Sequence, residues 1–185
     1  MINRIPKRFQ GFTLKTFKGD VWKKALLFLE AGKSLFLSGI CGSGKTHLAV
    51  ALLYEWELWT SNKRKAAEKN RETWKEPRGI FLTSGEFFLE LKESFERNGE
   101  RSVVDEYSRA DLLVLDDMGS EKVSEWSRQM TYLLLDRRYR EMKQTIITSN
   151  LDLQGISQQI DDRVASRIAD GEIVVMPKKD WRVQK

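Results

Sequence analysis

Eight consecutive residues carry the strongest chemical signal in the chain. Gly39, Ile40, Cys41, Gly42, Ser43, Gly44, Lys45 and Thr46 match G-x-x-x-x-G-K-[ST] at every fixed position. An apolar run precedes them and reads as a strand. The stretch that follows reads as a helix, which is the setting the motif needs. Glycines let such a loop curl until its backbone N–H groups point inward at phosphate oxygens. The N-terminus of the following helix adds favourable partial positive charge. Lys45 has the length to reach β- and γ-phosphates, and the Thr46 hydroxyl can ligate Mg²⁺. Cys41 fills a position the pattern leaves free. His47 reads as a first-turn residue beside the loop rather than as a catalyst.

A phosphate cradle alone does not say what is done with a nucleotide. Residues 112–117 (LLVLDD) supply a second part: four apolar residues of a buried strand, then two carboxylates at its C-terminal end. Ligands of open α/β sheets bind at that end. Asp116 is placed to hold Mg²⁺ through water together with Thr46, and Asp117 to orient and polarise an attacking water. Residues 145–150 (TIITSN) form another strand with a polar end, expected beside the carboxylate strand. There Asn150 would hydrogen-bond the γ-phosphate or the water. Residues 161–168 (DDRVASRI) read as a short helix with Arg163 and Arg167 four apart on one face. An arginine facing a neighbour's phosphates stabilises transition-state charge. The simpler reading is a pair of surface ion pairs to Asp161, Asp162 or Asp170.

The elements that must position these groups alternate along the chain. Apolar runs at 34–39, 80–83, 112–115, 145–148 and 173–176 predict five strands. Amphipathic stretches at 20–31, 46–59, 84–95 and 123–142 predict helices between them, with Ser84 as an N-cap. Strands separated by helices indicate an α/β fold, a parallel sheet with right-handed crossovers and helices on both faces. Residues 61–78 break the pattern with seven basic residues and interspersed glutamates. They read as a solvated helix extension plus a loop stopped by Pro77, or as a basic arm touching phosphates. The whole chain, 1–185, is expected to be one domain with a leader over 1–18.

Composition narrows the chemistry further. The 185 residues hold 32 Lys+Arg and 27 Asp+Glu, a net charge of 32 − 27 = +5, compatible with a nucleic-acid partner. One cysteine and one histidine exclude an intramolecular disulfide framework and a His- or Cys-cluster metal site. No apolar run approaches the roughly 20 residues of a bilayer span, and residues 1–18 have no long apolar core of a signal peptide. A cytoplasmic location is therefore expected, without a membrane partner. G proteins are disfavoured by the lack of an N-K-x-D motif, and ABC-type ATPases by the lack of an LSGGQ-like signature. A small-molecule P-loop kinase fits the length, but the paired carboxylates and the polar strand end suit activation of water better. A regulatory module that holds ATP without useful turnover is a third reading.

Taken in order, GSGKTHLA (42–49), LLVLDDMGSE (112–121), LLLDRRYREMKQTIITSNL (133–151) and DDRVASRI (161–168) resemble the AAA+ ATPase domain of the DnaC/IstB-like group. These are bacterial and phage helicase loaders and transposition helper ATPases. The resemblance runs from residue 5 to residue 182, leaving out 61–78. It implies a P-loop NTPase of ASCE type whose carboxylate strand is next to the P-loop strand. It implies Lys45 and Thr46 as Walker A residues, Asp116 and Asp117 as Walker B residues and Asn150 as sensor 1. Arg167 would be the arginine finger acting in trans, and Arg163 a second candidate for a related role. ATP and Mg²⁺ would be the cofactors. Residues 5–17 resemble a leader lying near the adenine. The helices of 86–107 resemble an insertion that contacts single-stranded DNA, with Lys92, Arg97 and Arg101 as basic candidates. A replicative helicase or a transposase would be the protein partner, and homo-oligomers would form on ATP and DNA. The P-loop begins at residue 39, so the group's N-terminal partner-binding module is expected to be missing. Only 185 − 167 = 18 residues follow Arg167, too few for a full C-terminal lid. Asp117 stands where most AAA+ proteins have Glu, and this group commonly shows the same Asp pair. The function implied is an ATP-dependent, helicase-loader-like switch acting on DNA.

Overall fold

The apolar runs within 35–37, 80–82, 112–115 and 146–147 have no polar face, so they must be covered on both sides, whereas Ile173 and Val175 of the run at 173–176 stay exposed. The computed structural model, which describes residues 2–3, 5–17, 19–95 and 100–183, arranges them accordingly. Its elements are β1 (Ile2–Asn3), α1 (Val21–Glu30), β2 (Leu35–Ser38), α2 (Lys45–Asn70), β3 (Gly79–Thr83), α3 (Ser84–Phe95) and α4 (Glu100–Ser108). These are followed by β4 (Leu112–Asp116), α5 (Glu125–Arg140), β5 (Gln144–Ser149), α6 (Leu153–Gln159), α7 (Asp162–Ala169) and β6 (Glu172–Val175). Among the described residues the strands form one sheet in the order β1-β3-β4-β5-β2-β6. Every pairing is parallel.

Side chains alternate across a strand, and the two faces separate cleanly. Leu35, Leu37, Leu112, Val114 and Ile146 pack under α1 and α2 with Ala25, Leu29, Leu48, Leu52 and Trp56. Phe36, Leu115 and Ile147 face α5, α6 and α7. Ile80, Leu82 and Leu113 face α3, α4 and α5 with Phe87 and Tyr107. A fully buried leucine such as Leu52 contributes roughly 1.5–3 kcal/mol by transfer alone. No helix among the described residues is long and apolar enough to cross a membrane.

All five expected strands are present, and the leader adds a two-residue sixth at the edge, paired with β3. Two residues carry no period, which is why β1 was not legible. Strand order departs from expectation in one respect. The carboxylate strand β4 is not next to the P-loop strand β2, because β5 lies between them and pairs with both. Helix α2 crosses β5 and β4 on one face, and so carries its first turn over to the end of β4.

Helix ends also differ. Thr83, not Ser84, caps α3: its Oγ1 accepts from Glu86 N at 3.1 Å, and the Glu86 carboxylate accepts from Thr83 N at 2.9 Å. Helix α2 runs on through Asn70 and is ended by Arg71 in the left-handed conformation, φ 58°, well before Pro77. The basic segment 61–78 is thus a helix extension followed by a loop, with Arg64 ion-paired to Glu68 and Glu76. Between α4, β4 and β5 lies Arg138, which is fully buried. It donates to the carbonyls of Tyr107 (2.7 Å) and Ala110 (2.8 Å) and to Thr145 Oγ1 (2.9 Å). Burial pushes its pKa down, and these acceptors satisfy the guanidinium.

Candidate nucleotide site

Strand β2 ends at Ser38 and the chain turns at once into the 39–44 loop. Gly44 caps α2 with φ 92°, a left-handed backbone that a side chain would strain. Gly42, with φ 75°, lies so close to the Asp180 carboxylate that a Cβ there would stand 1.9 Å from its Oδ1. Lys45 opens the helix and is almost fully buried. Its Nζ donates to Gly39 O at 2.8 Å, to Ile40 O at 2.9 Å and to Asn150 Oδ1 at 2.8 Å. The ammonium therefore joins the start of the loop to the end of β5. Burial lowers its pKa, while Asp117, Cys41 and Asp116 act in the opposite sense.

The two carboxylates sit at the end of β4. Asp116 accepts from Thr46 Oγ1 at 3.1 Å and from Thr148 Oγ1 at 2.7 Å. It is 4% exposed, and burial raises its pKa above the ordinary carboxylate value against the pull of those two hydroxyls. The Thr148 hydroxyl also accepts from Asp117 N at 2.9 Å, so one oxygen positions both acidic residues. Asp117 leaves the strand with φ 58°, a left-handed conformation that Asp tolerates better than most residues. Its Oδ1 accepts from Asn150 Nδ2 at 3.3 Å. Ser149 Oγ donates to Met118 O at 2.6 Å and ties the ends of β4 and β5 together. Lys45, Thr46, Asp116, Asp117 and Asn150 thus form one connected cluster.

That cluster floors a cavity of about 470 Å³. The leader supplies one wall through Arg8, Phe9 and Phe12, and the C-terminal segment another through Trp181 and Arg182. His47 also lines this cavity, and its ring is held by the leader. Its ring stacks on Phe12 (4.4 Å, 16°) and meets Phe17 edge-on. Its Nε2 lies 3.0 Å from Thr16 Oγ1 and 3.1 Å from Thr13 O, and burial lowers its pKa. His47 is the pin that holds the leader against α2.

The residues present fit a nucleotide. Gly42 and Gly44 hold the loop in left-handed backbone, φ 75° and 92°, that a side chain would strain. Ser43 Oγ is buried without a hydrogen-bond partner. A threonine hydroxyl beside a carboxylate is a hard-oxygen pair of the kind Mg²⁺ takes alongside phosphates and waters.

Other expected residues are not brought to this cavity. Arg167 lies outside it, its guanidinium donating to Asp136 at 3.1 and 3.2 Å and lying over the Tyr139 ring at 5.0 Å. Asp136 comes from α5, not from the local acidic residues. Arg163 pairs with Asp161 at 2.8 Å and covers the Tyr132 ring. Lys92 borders a separate cavity of about 380 Å³ with Phe88, Leu89 and Trp126. Arg101 lies in an open depression with Arg78, Asp105, Glu106 and Arg109. The third basic candidate, Arg97, falls outside the described residues. Thr148, Trp181 and Arg182 were not singled out from the sequence; an inward threonine at a strand end was the one signal available for Thr148.

Fold and site define an ATPase domain of the P-loop AAA+ class. The bacterial DnaA ATPase domain family matches residues 29–175, and the chain belongs to it. Helicase loaders, an insertion-sequence protein and a replication initiator are similar to it. The replicative helicase loader DnaC of Escherichia coli (strain K12) is 25% identical over 140 residues, 75% of this chain and 51% of that protein. A crystal structure of the DnaC helicase loader is 29% identical with a TM-score of 0.71, covering 92% of this chain and 99% of that one. A protein of insertion sequence IS232 from Bacillus thuringiensis subsp. berliner is 28% identical over 147 residues, 79% of this chain and 52% of the relative. The replication initiator DnaA bound to AMPPCP and single-stranded DNA is 25% identical with a TM-score of 0.69, covering 90% of this chain and 50% of that one. The chain spans about half the length of the curated relatives it matches. Membership in this family makes it a nucleotide-binding domain.

Proposed function

We propose that this chain is the ATPase domain of a helicase-loader-like switch, which binds ATP with Mg²⁺, hydrolyses it slowly and couples the nucleotide to single-stranded DNA. The observation that carries the reading is the cluster in which Lys45 Nζ bonds Asn150 Oδ1 while Asn150 Nδ2 bonds Asp117 Oδ1. One amide links the phosphate-binding ammonium to the carboxylate suited to activating water. Lys45 stabilises negative charge on the β- and γ-phosphates. Asp117 orients the water and draws on its proton, with Asn150 fixing the carboxylate. Thr46 and Asp116 are the residues that would hold Mg²⁺, which when bound neutralises phosphate charge. Asp is one methylene shorter than Glu, so the water must come closer and turnover is slow.

Arg167 is the candidate to complete a neighbour's site, because it is held outside its own cavity. An arginine supplied in trans can be worth on the order of 10³–10⁵ in rate, so turnover should depend on assembly. The relationship to DnaC and to a DNA-bound DnaA supports a replicative helicase and single-stranded DNA as partners. Lys92 and Arg101 are the described basic candidates for DNA.

The test is ATP turnover across protein concentrations, with and without single-stranded DNA. A steeper-than-linear rise enhanced by DNA is expected. Lys45→Ala should abolish ATP binding, and Arg167→Ala should spare binding but lose the cooperative rise. Activity strictly proportional to protein and indifferent to DNA, or phosphate transfer to a nucleoside, would count against the proposal.

A further inference from the structure

Charge is spread unevenly along this chain. Residues 61–78 hold seven Lys+Arg and three Glu, 7 − 3 = +4, out of +5 for the whole chain. Helix α2, which carries most of that charge, has 26 residues. At 1.5 Å per residue it is about 39 Å long, whereas a six-residue strand such as β5 spans about 20 Å. The helix therefore outruns the sheet. Trp56 marks the crossing point, because a Cβ on Gly79, the first residue of β3, would stand 2.9 Å from its ring. Beyond Trp56, only Ala67 of α2 is buried. The extension thus projects past the end where the strands begin, opposite the end that carries Asp116, Asp117 and Asn150.

This arm is held in shape by its own glutamates. The helix closes with Arg71 N on Glu68 O (3.2 Å) and Glu72 N on Ala67 O (2.9 Å). Arg64 pairs with Glu68 at 3.4 Å and reaches Glu76 of the returning loop at 3.7 Å. Glu76 also accepts from Trp74 Nε1 at 3.1 Å, and Glu72 from Asn70 Nδ2 at 3.3 Å. All three acidic side chains are thus engaged within the arm. Lys75 faces outward from it, and its charge is felt at Asp111. Lys63, Lys65, Lys69 and Arg71 are exposed, and among the described residues none of the four is in an ion pair. Lys65 and Lys69, four apart, share one helix face.

The composition of the arm selects the partner. Residues 61–73 include no large apolar side chain, so there is nothing to insert into lipid or an apolar groove. Trp74, the one aromatic residue of 61–78, is half-buried with its N–H tied to Glu76, so it offers no platform for unpaired bases. What remains is contact between long cationic side chains and regularly spaced phosphates, which fixes position and carries no sequence information. We infer that the end of α2 and its return loop form an arm that grips the phosphate backbone of duplex DNA, without reading its sequence, at the end of the domain opposite the nucleotide cavity. This goes beyond the single-stranded-DNA reading, and it does not rest on the cavity taking ATP.

The experiment is fluorescence anisotropy of the full chain with a labelled DNA duplex of arbitrary sequence, and with its single strand, over a salt series. One variant combines Lys63→Ala, Lys65→Ala and Lys69→Ala, and a second changes the same three lysines to Arg. A control with the same loss of charge combines Lys23→Ala, Lys24→Ala and Lys33→Ala. All six lysines are exposed, and Ala is favoured in a helix, so the variants should stay folded. Each lost phosphate contact should lower the salt slope by about 0.9, so the arm Ala variant should lose about 3 and bind the duplex at least roughly tenfold more weakly. The Arg variant should bind like wild type, and the control should keep the wild-type slope. A duplex bound no more tightly than its single strand, displacement by polyglutamate as effective as by unlabelled duplex, or an equal loss in the control overturns the inference. So does wild-type protein that leaves the duplex free.

Discussion

Replacing Thr148 by Val removes one oxygen and almost no volume, and it should disable two carboxylate positions at once. The hydroxyl donates to Asp116 Oδ1 at 2.7 Å and accepts from Asp117 N at 2.9 Å, and Thr148 is only 1% exposed. A hydrogen bond to a charged group is worth about 1.5–3 kcal/mol and a neutral one about 0.5–1.5 kcal/mol. Water cannot easily reach either orphaned partner, so a loss of about 2–4 kcal/mol is expected at neutral pH. Thr148→Ser keeps the oxygen and loses one methyl, about 1 kcal/mol. Urea denaturation followed by circular dichroism reads both. The pH dependence is a second check. Burial already raises the Asp116 pKa, and the Thr148 bond works against that rise. Without the bond the folded state takes up a proton at higher pH than the unfolded state, so stability increases as pH falls through the folded pKa. The deficit of Thr148→Val should therefore shrink on acidification. A Val variant within about 0.5 kcal/mol of wild type, or a deficit shared equally by Ser, would refute this account of the site.

Asn150→Ala should leave ATP affinity within a few-fold, since Lys45 keeps two carbonyl acceptors. Turnover should fall by roughly 100-fold, the scale of losing one positioned polar group, and a single-turnover assay separates the two effects. His47→Ala removes the stack on Phe12 and the contacts to Thr13 and Thr16, about 1–2 kcal/mol. Limited proteolysis should then cut within the leader faster than in wild type. Burial places the folded His47 pKa below 6.5, so its contribution in wild type is lost as pH falls from 6.5 through that lower value. At Asp111, burial pushes the pKa up, but the bonds from Lys143 Nζ (2.6 Å) and Arg78 N (2.9 Å) outweigh it and the net shift is downward. Asp111→Asn should cost about 1 kcal/mol at pH 7, discounted for partial exposure. That difference should vanish as pH falls below 3.8 through the folded pKa, as a pH series of thermal melts would read.

The P-loop, the paired aspartates and the polar end of β5 were legible because each is a contiguous stretch whose backbone setting follows from its neighbours. Strand against helix was legible for the same reason: buried runs at 112–115 and 145–148 alternate faces, and helices between them repeat every three or four residues. Contacts that close at long range were not. Nothing near Arg167 indicates that its carboxylate partner is Asp136, 31 residues earlier. Nothing near Thr148 indicates that it bridges both aspartates.

By itself, then, the sequence determined which residues could meet a phosphate, a metal ion and a water, and that parallel strands would carry them to one edge. Tertiary structure decided that β5 separates β2 from β4, that α2 crosses β5 to join Thr46 to Asp116, and that β6 returns Arg182 to the loop. The reason is physical. Local patterns arise from a few dihedral angles and the polarity of adjacent side chains, whereas strand order depends on which crossovers bury the apolar faces of the whole chain at once.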